Sequence, residues 1–149
     1  MGKSGILIGR YPGDSYAGGN PWQLLTAVLA ETFYLGAQAT LESIERKAGD
    51  YNLDQDHEHR EWIKLLDTFK NGDIIVTAHD LATAQLAAGD SVMSRLWERV
   101  KDDGGRVDEQ IDRNTGAQAS AESLTWSYAN TLHALHTRKH LKALFNKLA

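Results

Sequence analysis

The stretch "NPWQLLTAVLAETFYLG" (residues 20–36) decides the fold. Pro21 suits the first position of a helix, where the N–H it lacks would be unsatisfied anyway; Asn20 before it is expected to cap the helix and Gly36 to stop it. Leu24, Leu25, Val28, Leu29, Phe33, Tyr34 and Leu35 spread apolar surface nearly all round it. A helix apolar on most sides is one packed among other helices.

The flanking sequence carries the same period. A second helical pattern is expected over Leu41 to Lys47, ending near Gly49, followed by the polar connection "DYNLDQDHEH" (50–59). From about His57 to Phe69, Trp62, Leu65, Leu66 and Phe69 return at helical spacing until Asn71-Gly72. The next helix is expected near Asp80, read as its N-cap, with Leu81, Ala84, Ala88, Val92, Leu96 and Val100 as its stripe, a kink at Gly89-Asp90 and a stop at "DDGG" (102–105). A last long helix is expected after Ser120, with Glu122 favouring the positive end of its dipole and Leu124, Tyr128, Leu132 and Leu135 as its apolar stripe. Trp126, about 200° around that helix from Leu124, points away from the stripe. A short amphipathic helix over 139–148 closes the chain, and "DIIVTA" (73–78) reads either as a short strand or as the opening of the following helix. The expectation is an all-α fold in which residues 1–149 form one helical unit.

Composition narrows the function. A chain of 149 residues, 42% hydrophobic and 24% charged, has ordinary globular usage and the length of one domain. No apolar run approaches the roughly 20 residues of a membrane span, and no signal peptide is read at the N-terminus. The chain has no cysteine, so disulfides and thiolate chemistry are excluded. Net charge is −4 and the basic residues are scattered, which argues against a nucleic-acid partner and favours neutral ligands.

Two loops carry unusual residues. "GRYPGDSYAGGNPW" (9–22) combines Arg10, Asp14, Tyr11, Tyr16 and Trp22 just before the apolar helix. Guanidinium and carboxylate beside aromatic faces suit sugars, which need paired donors and acceptors and stack on rings; equally, the Arg10–Asp14 pair and the tyrosines merely pack a helix entry. "GGRVDEQIDRNTG" (104–116) sets Asp108, Glu109 and Asp112 close together in a second loop leading into a helix. Nothing in the sequence alone places the two loops at one end of the molecule. Metal ligation by His57 and His59 is disfavoured by their spacing of two. His133, His136 and His140 could share a helix face, but a solvated polar stripe is the expected reading.

The first of these loops, with its run into Gly-Asn-Pro-Trp, resembles the signature of the glucoamylases, family 15 of the glycoside hydrolases. "EQIDRNTGAQASAESLTWSYA" (109–129) resembles that family's Glu-Gln-x-Asp stretch followed by Leu-Thr-Trp-Ser-Tyr-Ala. The resemblance implies an (α/α)6 barrel that releases terminal α-1,4-linked glucose from non-reducing ends of starch, glycogen or maltooligosaccharides with inversion, without a cofactor or metal. Position by position it implies that Glu109 is the general base, that Arg10 binds sugar hydroxyls, that Trp22 and Trp126 lie near the first subsites, and that Asp14 and Tyr16 support them. The pattern departs at Gly13, often an acid in fungal members, and at Ile111, often tyrosine. Inversion needs an acid and a base roughly 6.5 to 9.5 Å apart. The base must stay ionised, and Arg10 is expected to favour that. In the family the general acid lies upstream of the matching sequence, so the chain is expected to be the C-terminal portion of a catalytic domain, with four to five barrel helices. Alone it is expected to be nearly inactive and to associate, through helix faces left open, with a second copy or with the N-terminal part of the domain. For the full-length parent an extracytoplasmic location fits. The other reading is a non-catalytic helical module that keeps these loops for carbohydrate binding or assembly.

Overall fold

The computed structural model describes residues 5–47, 57–67 and 75–148. Among them are four α-helices, α1 (Gln23–Lys47), α2 (His57–Asp67), α3 (Ala78–Val100) and α4 (Thr125–Leu148), and one two-residue hairpin, β1 (Gln110–Ile111) with β2 (Gln118–Ala119). The all-α expectation holds. The expected ends at Gly49 and Asn71-Gly72, and Phe69, lie outside the described residues.

α1 is the centre, packed against both α3 and α4, while α2 lies on α3. This explains the apolarity of residues 20–36. It also explains why Gln23–Glu45 is long and apolar enough to cross a membrane although the sequence shows no unbroken apolar run. Phe33, Tyr34 and Leu41 are wholly buried in a cluster with Leu66, Leu81, Ala88, Val92, Ala134 and Leu141. Burial of each large side chain contributes about 1.5–3 kcal/mol.

Gly36 does not stop the first helix, which runs on through the second predicted segment. It is buried inside α1, where a Cβ would sit 2.5 Å from the Trp62 ring and 2.9 Å from Gln85 Nε2. Nor do Gly89 and Asp90 kink α3. A Cβ at Gly89 would lie 2.4 Å from the Tyr34 ring, so both glycines are needed for close approach. Asp90 accepts the Tyr34 hydroxyl at 2.9 Å and takes both arms of Arg138 at 2.6 and 2.7 Å, joining α1, α3 and α4. Burial, together with the Asp90 carboxylate, pushes the Tyr34 phenol far above its ordinary range.

α3 begins two residues before the expected cap. Thr77 is the N-cap and Asp80 the third helical residue: Asp80 N–H donates to Thr77 Oγ1 and Asp80 Oδ2 accepts from Thr77 N–H, a reciprocal box. "DIIVTA" accordingly ends as a helix entry, with residues 73 and 74 outside those described. The six predicted stripe residues of α3 are all buried.

α4 departs most from expectation. It starts at Thr125, five residues beyond Ser120, which therefore does not cap it, and it continues through 139–148 as one helix. Ser120 and Ser123 have left-handed backbone (φ 71° and 50°), which no helix accepts. Its buried face is Ser127, Ala134, Thr137 and Leu141, whereas Leu132 and Leu135 are 64% and 46% exposed. Small residues face α1 because they let the helices come close. The large residues border a groove of about 710 Å³ between α3 and α4, with Trp97 and Tyr128 among its walls.

Candidate active site

The two unusual loops meet at the start of α1. Trp22 pairs antiparallel with Gln110, adding a third row to the β1–β2 hairpin. Ile111 N–H donates to Pro21 O at 2.9 Å, and Gln23 N–H donates to Glu109 O at 3.0 Å. The first N–H groups of a helix need acceptors. Here the acceptor at Gln23 is the carbonyl of the candidate base, not an Asn20 cap. Asn20 is instead nearly buried between the loops, giving Nδ2 to Gln110 Oε1 and accepting Arg113 N–H on Oδ1, both at 3.2 Å.

The three loop carboxylates separate cleanly. Asp108 is buried, gripped by Arg106 through Nε and Nη2 at 3.0 Å each and by Ser123 N–H at 2.9 Å. Asp112 folds the hairpin turn by accepting from Asn114 N–H, Thr115 N–H and Thr115 Oγ1 at 2.9, 2.7 and 3.0 Å. These bonds, Thr115's first, hold its carboxyl below the usual carboxylate range. Glu109 is half-buried and pinned by its backbone, with N–H on Ala121 O at 2.9 Å and C=O on α1. Its Oε2 accepts from the Ser120 hydroxyl and from Gln110 Nε2. A carboxylate fixed at the main chain and oriented by neutral donors is equipped to take a proton from water.

Arg10 is paired within its own loop. Its Nε and Nη2 both donate to Asp14 at 2.8 Å. These bonds, together with the Tyr16 N–H, hold the Asp14 carboxyl below its ordinary range and raise the guanidinium. The guanidinium carbon lies 4.7 Å from the Tyr16 ring centre and 5.5 Å from those of Tyr11 and Trp22. Tyr11 and Tyr16 are 60% and 64% exposed, so each keeps ring surface open to a ligand on the side away from Arg10. Arg10, Asp14, Tyr16 and Trp22 thus form one cluster, joined to Glu109 through the Trp22–Gln110 pairing. Trp126 stands 69% exposed in the first turn of α4. Among the described residues it shares no hydrogen bond or ring contact with the other five.

Sequence reasoning missed the residues that hold the site together. Gln23 Nε2 donates to Gln118 Oε1 at 2.8 Å and to Gln110 O at 3.3 Å, and Gln118 Oε1 also accepts Asp108 N–H at 3.0 Å. Gln23 and Gln110 are wholly or almost wholly buried. The available signal was a glutamine at the head of a helix apolar all round, since a buried amide demands partners. The histidine stripe divides. His133 Nδ1 bonds Glu31 of α1, while His136 and His140 face one another.

The family described as glycosyl hydrolases family 15 matches residues 1–136. The chain is 32% identical to a glucoamylase of Saccharomycopsis fibuligera over 95% of its own length and 30% of that protein's. It is 34% identical to a glucoamylase of Schizophyllum commune over 89% of its own length and 22% of that protein's. The solved glucoamylase of Saccharomycopsis fibuligera superposes with a TM-score of 0.68 at 28% identity, covering 95% of this chain and 31% of that one. That of Hypocrea jecorina gives 0.65 at 28% identity, covering 95% and 23%. The chain therefore spans about 30% or less of these relatives. Its helices correspond to part of the (α/α)6 barrel of its structural neighbours.

Proposed function

The chain belongs to glycosyl hydrolase family 15, and from that premise we propose that it forms the general-base side of a glucoamylase-like site acting on α-1,4-glucans. The observation that carries the proposal is the junction of the two loops, which clamps Glu109 by its backbone to α1; of the three loop carboxylates, its side chain takes only neutral side-chain donors, where Asp108 takes Arg106 and Asp112 the backbone of the turn. Glu109 deprotonates the attacking water. Tyr16, Trp22 and Trp126 offer ring faces to the sugar, and Arg10, oriented by Asp14, offers donors to its hydroxyls.

The reaction is inverting. Water attacks the anomeric carbon from the face opposite the leaving oxygen, and a carboxylic acid on the other side protonates that oxygen. The acid belongs to sequence outside these 149 residues, in keeping with relatives more than three times as long. The test is the anomeric form of the first product, read by proton NMR during hydrolysis of maltooligosaccharide by the catalytic domain that carries this segment. β-Glucose is expected; α-glucose as the first product overturns the assignment of Glu109 as a base.

A further inference from the structure

We propose that His136 and His140, one turn apart near the end of α4, form a divalent transition-metal site exposed to solvent. Their Nε2 atoms are 3.1 Å apart, and their ring centres 4.4 Å apart with planes at 79°. A collinear N–H···N bond would separate the ring centres by the nitrogen distance plus a ring radius at each end, clearly more than is seen. The rings are therefore not aligned for such a bond, and both nitrogens lie within reach of one ion. With metal–nitrogen bonds of about 2.0–2.1 Å, a separation of 3.1 Å corresponds to an N–M–N angle of about 95–102°, between octahedral and tetrahedral values.

The neighbourhood fits a cation. The pair borders an open cavity of about 290 Å³ whose α1 wall carries Gln38 and the Glu42 carboxylate. His133, a turn earlier, is bound to Glu31 and does not compete. Among the described residues no three histidine or acidic side chains converge on one point, so water fills the remaining positions of the ion. Two imidazoles and several waters suit zinc, nickel or copper and discriminate against magnesium and calcium, which prefer oxygen donors. Bridging successive turns, the metal would staple the end of α4. This site lies apart from the proposed catalytic loops and does not depend on them.

The test is calorimetric titration of the 149-residue chain with Zn²⁺, repeated on His136→Ala, His140→Ala and His133→Ala. The proposal expects a single site, weakened at least about tenfold by either of the first two substitutions, a loss that even an outer partner of a metal ligand typically causes. His133→Ala should bind as the unaltered chain does. Amide exchange within residues 136–144 should slow on adding zinc to the unaltered chain but not to His136→Ala. No binding by the unaltered chain, or equal binding by either of the first two variants, overturns the proposal.

Discussion

Three carboxylates within five residues do three different jobs, and the difference lies in their donors. Asp108 is spent on Arg106 and Ser123, Asp112 on the turn at Asn114 and Thr115, and Glu109 faces two side-chain donors that leave it able to act. Because the folded state holds the Asp112 carboxyl below its usual range, its contribution is present above the ordinary carboxylate pKa of about 3.9 and fades as pH falls through the lower folded value. Asp112→Ala is therefore expected to abolish amide-exchange protection at Asn114 and Thr115 at neutral pH while leaving the α1 amides protected. Unchanged protection at both amides would contradict the role of the turn. The residue types here were legible in the sequence, and the family resemblance singled out Glu109. The roles of Asn20, Gln23 and Gln110 were not, because a buried amide is recognised by partners about 90 residues away.

Helices were legible as elements but not in their ends. The glycines at 36 and 89 read as a stop and a kink because a glycine within a helix is unfavourable by itself, by roughly 1 kcal/mol relative to alanine. Packing overrode that preference at both positions. Gly89→Ala gains about 1 kcal/mol of helix propensity but places a methyl carbon 2.4 Å from a Tyr34 ring whose hydroxyl is fixed on Asp90. Overpacking of that kind costs typically 1–3 kcal/mol, and more where the neighbour cannot turn aside. Chemical denaturation is expected to show Gly89→Ala less stable than the unaltered chain by about 1–2 kcal/mol; a more stable variant would contradict the packing account. α4 illustrates a second limit. Its hydrophobic stripe and its buried face lie about 130° apart on the helix, because small residues such as Ser127 and Ala134 make the close contact and size alone draws attention to Leu132 and Leu135.

At the scale of the whole molecule, the all-helical class and the kinship were both legible: a helix apolar all round calls for helical neighbours, and two motifs carry the family. The junction of the loops was not, since the pairing of Trp22 with Gln110 spans most of the chain. The chain spans 30% of its Saccharomycopsis fibuligera relative, and on this account it holds the base and not the acid of the pair. The isolated 149 residues are therefore expected to release glucose from maltose or soluble starch barely above background. The decisive measurement is turnover of the catalytic domain carrying this segment before and after Glu109→Gln, with circular dichroism to show the fold intact. A general base predicts a fall in kcat of about 10²–10⁴-fold with KM little changed, whereas turnover within a few-fold of the unaltered protein would contradict it.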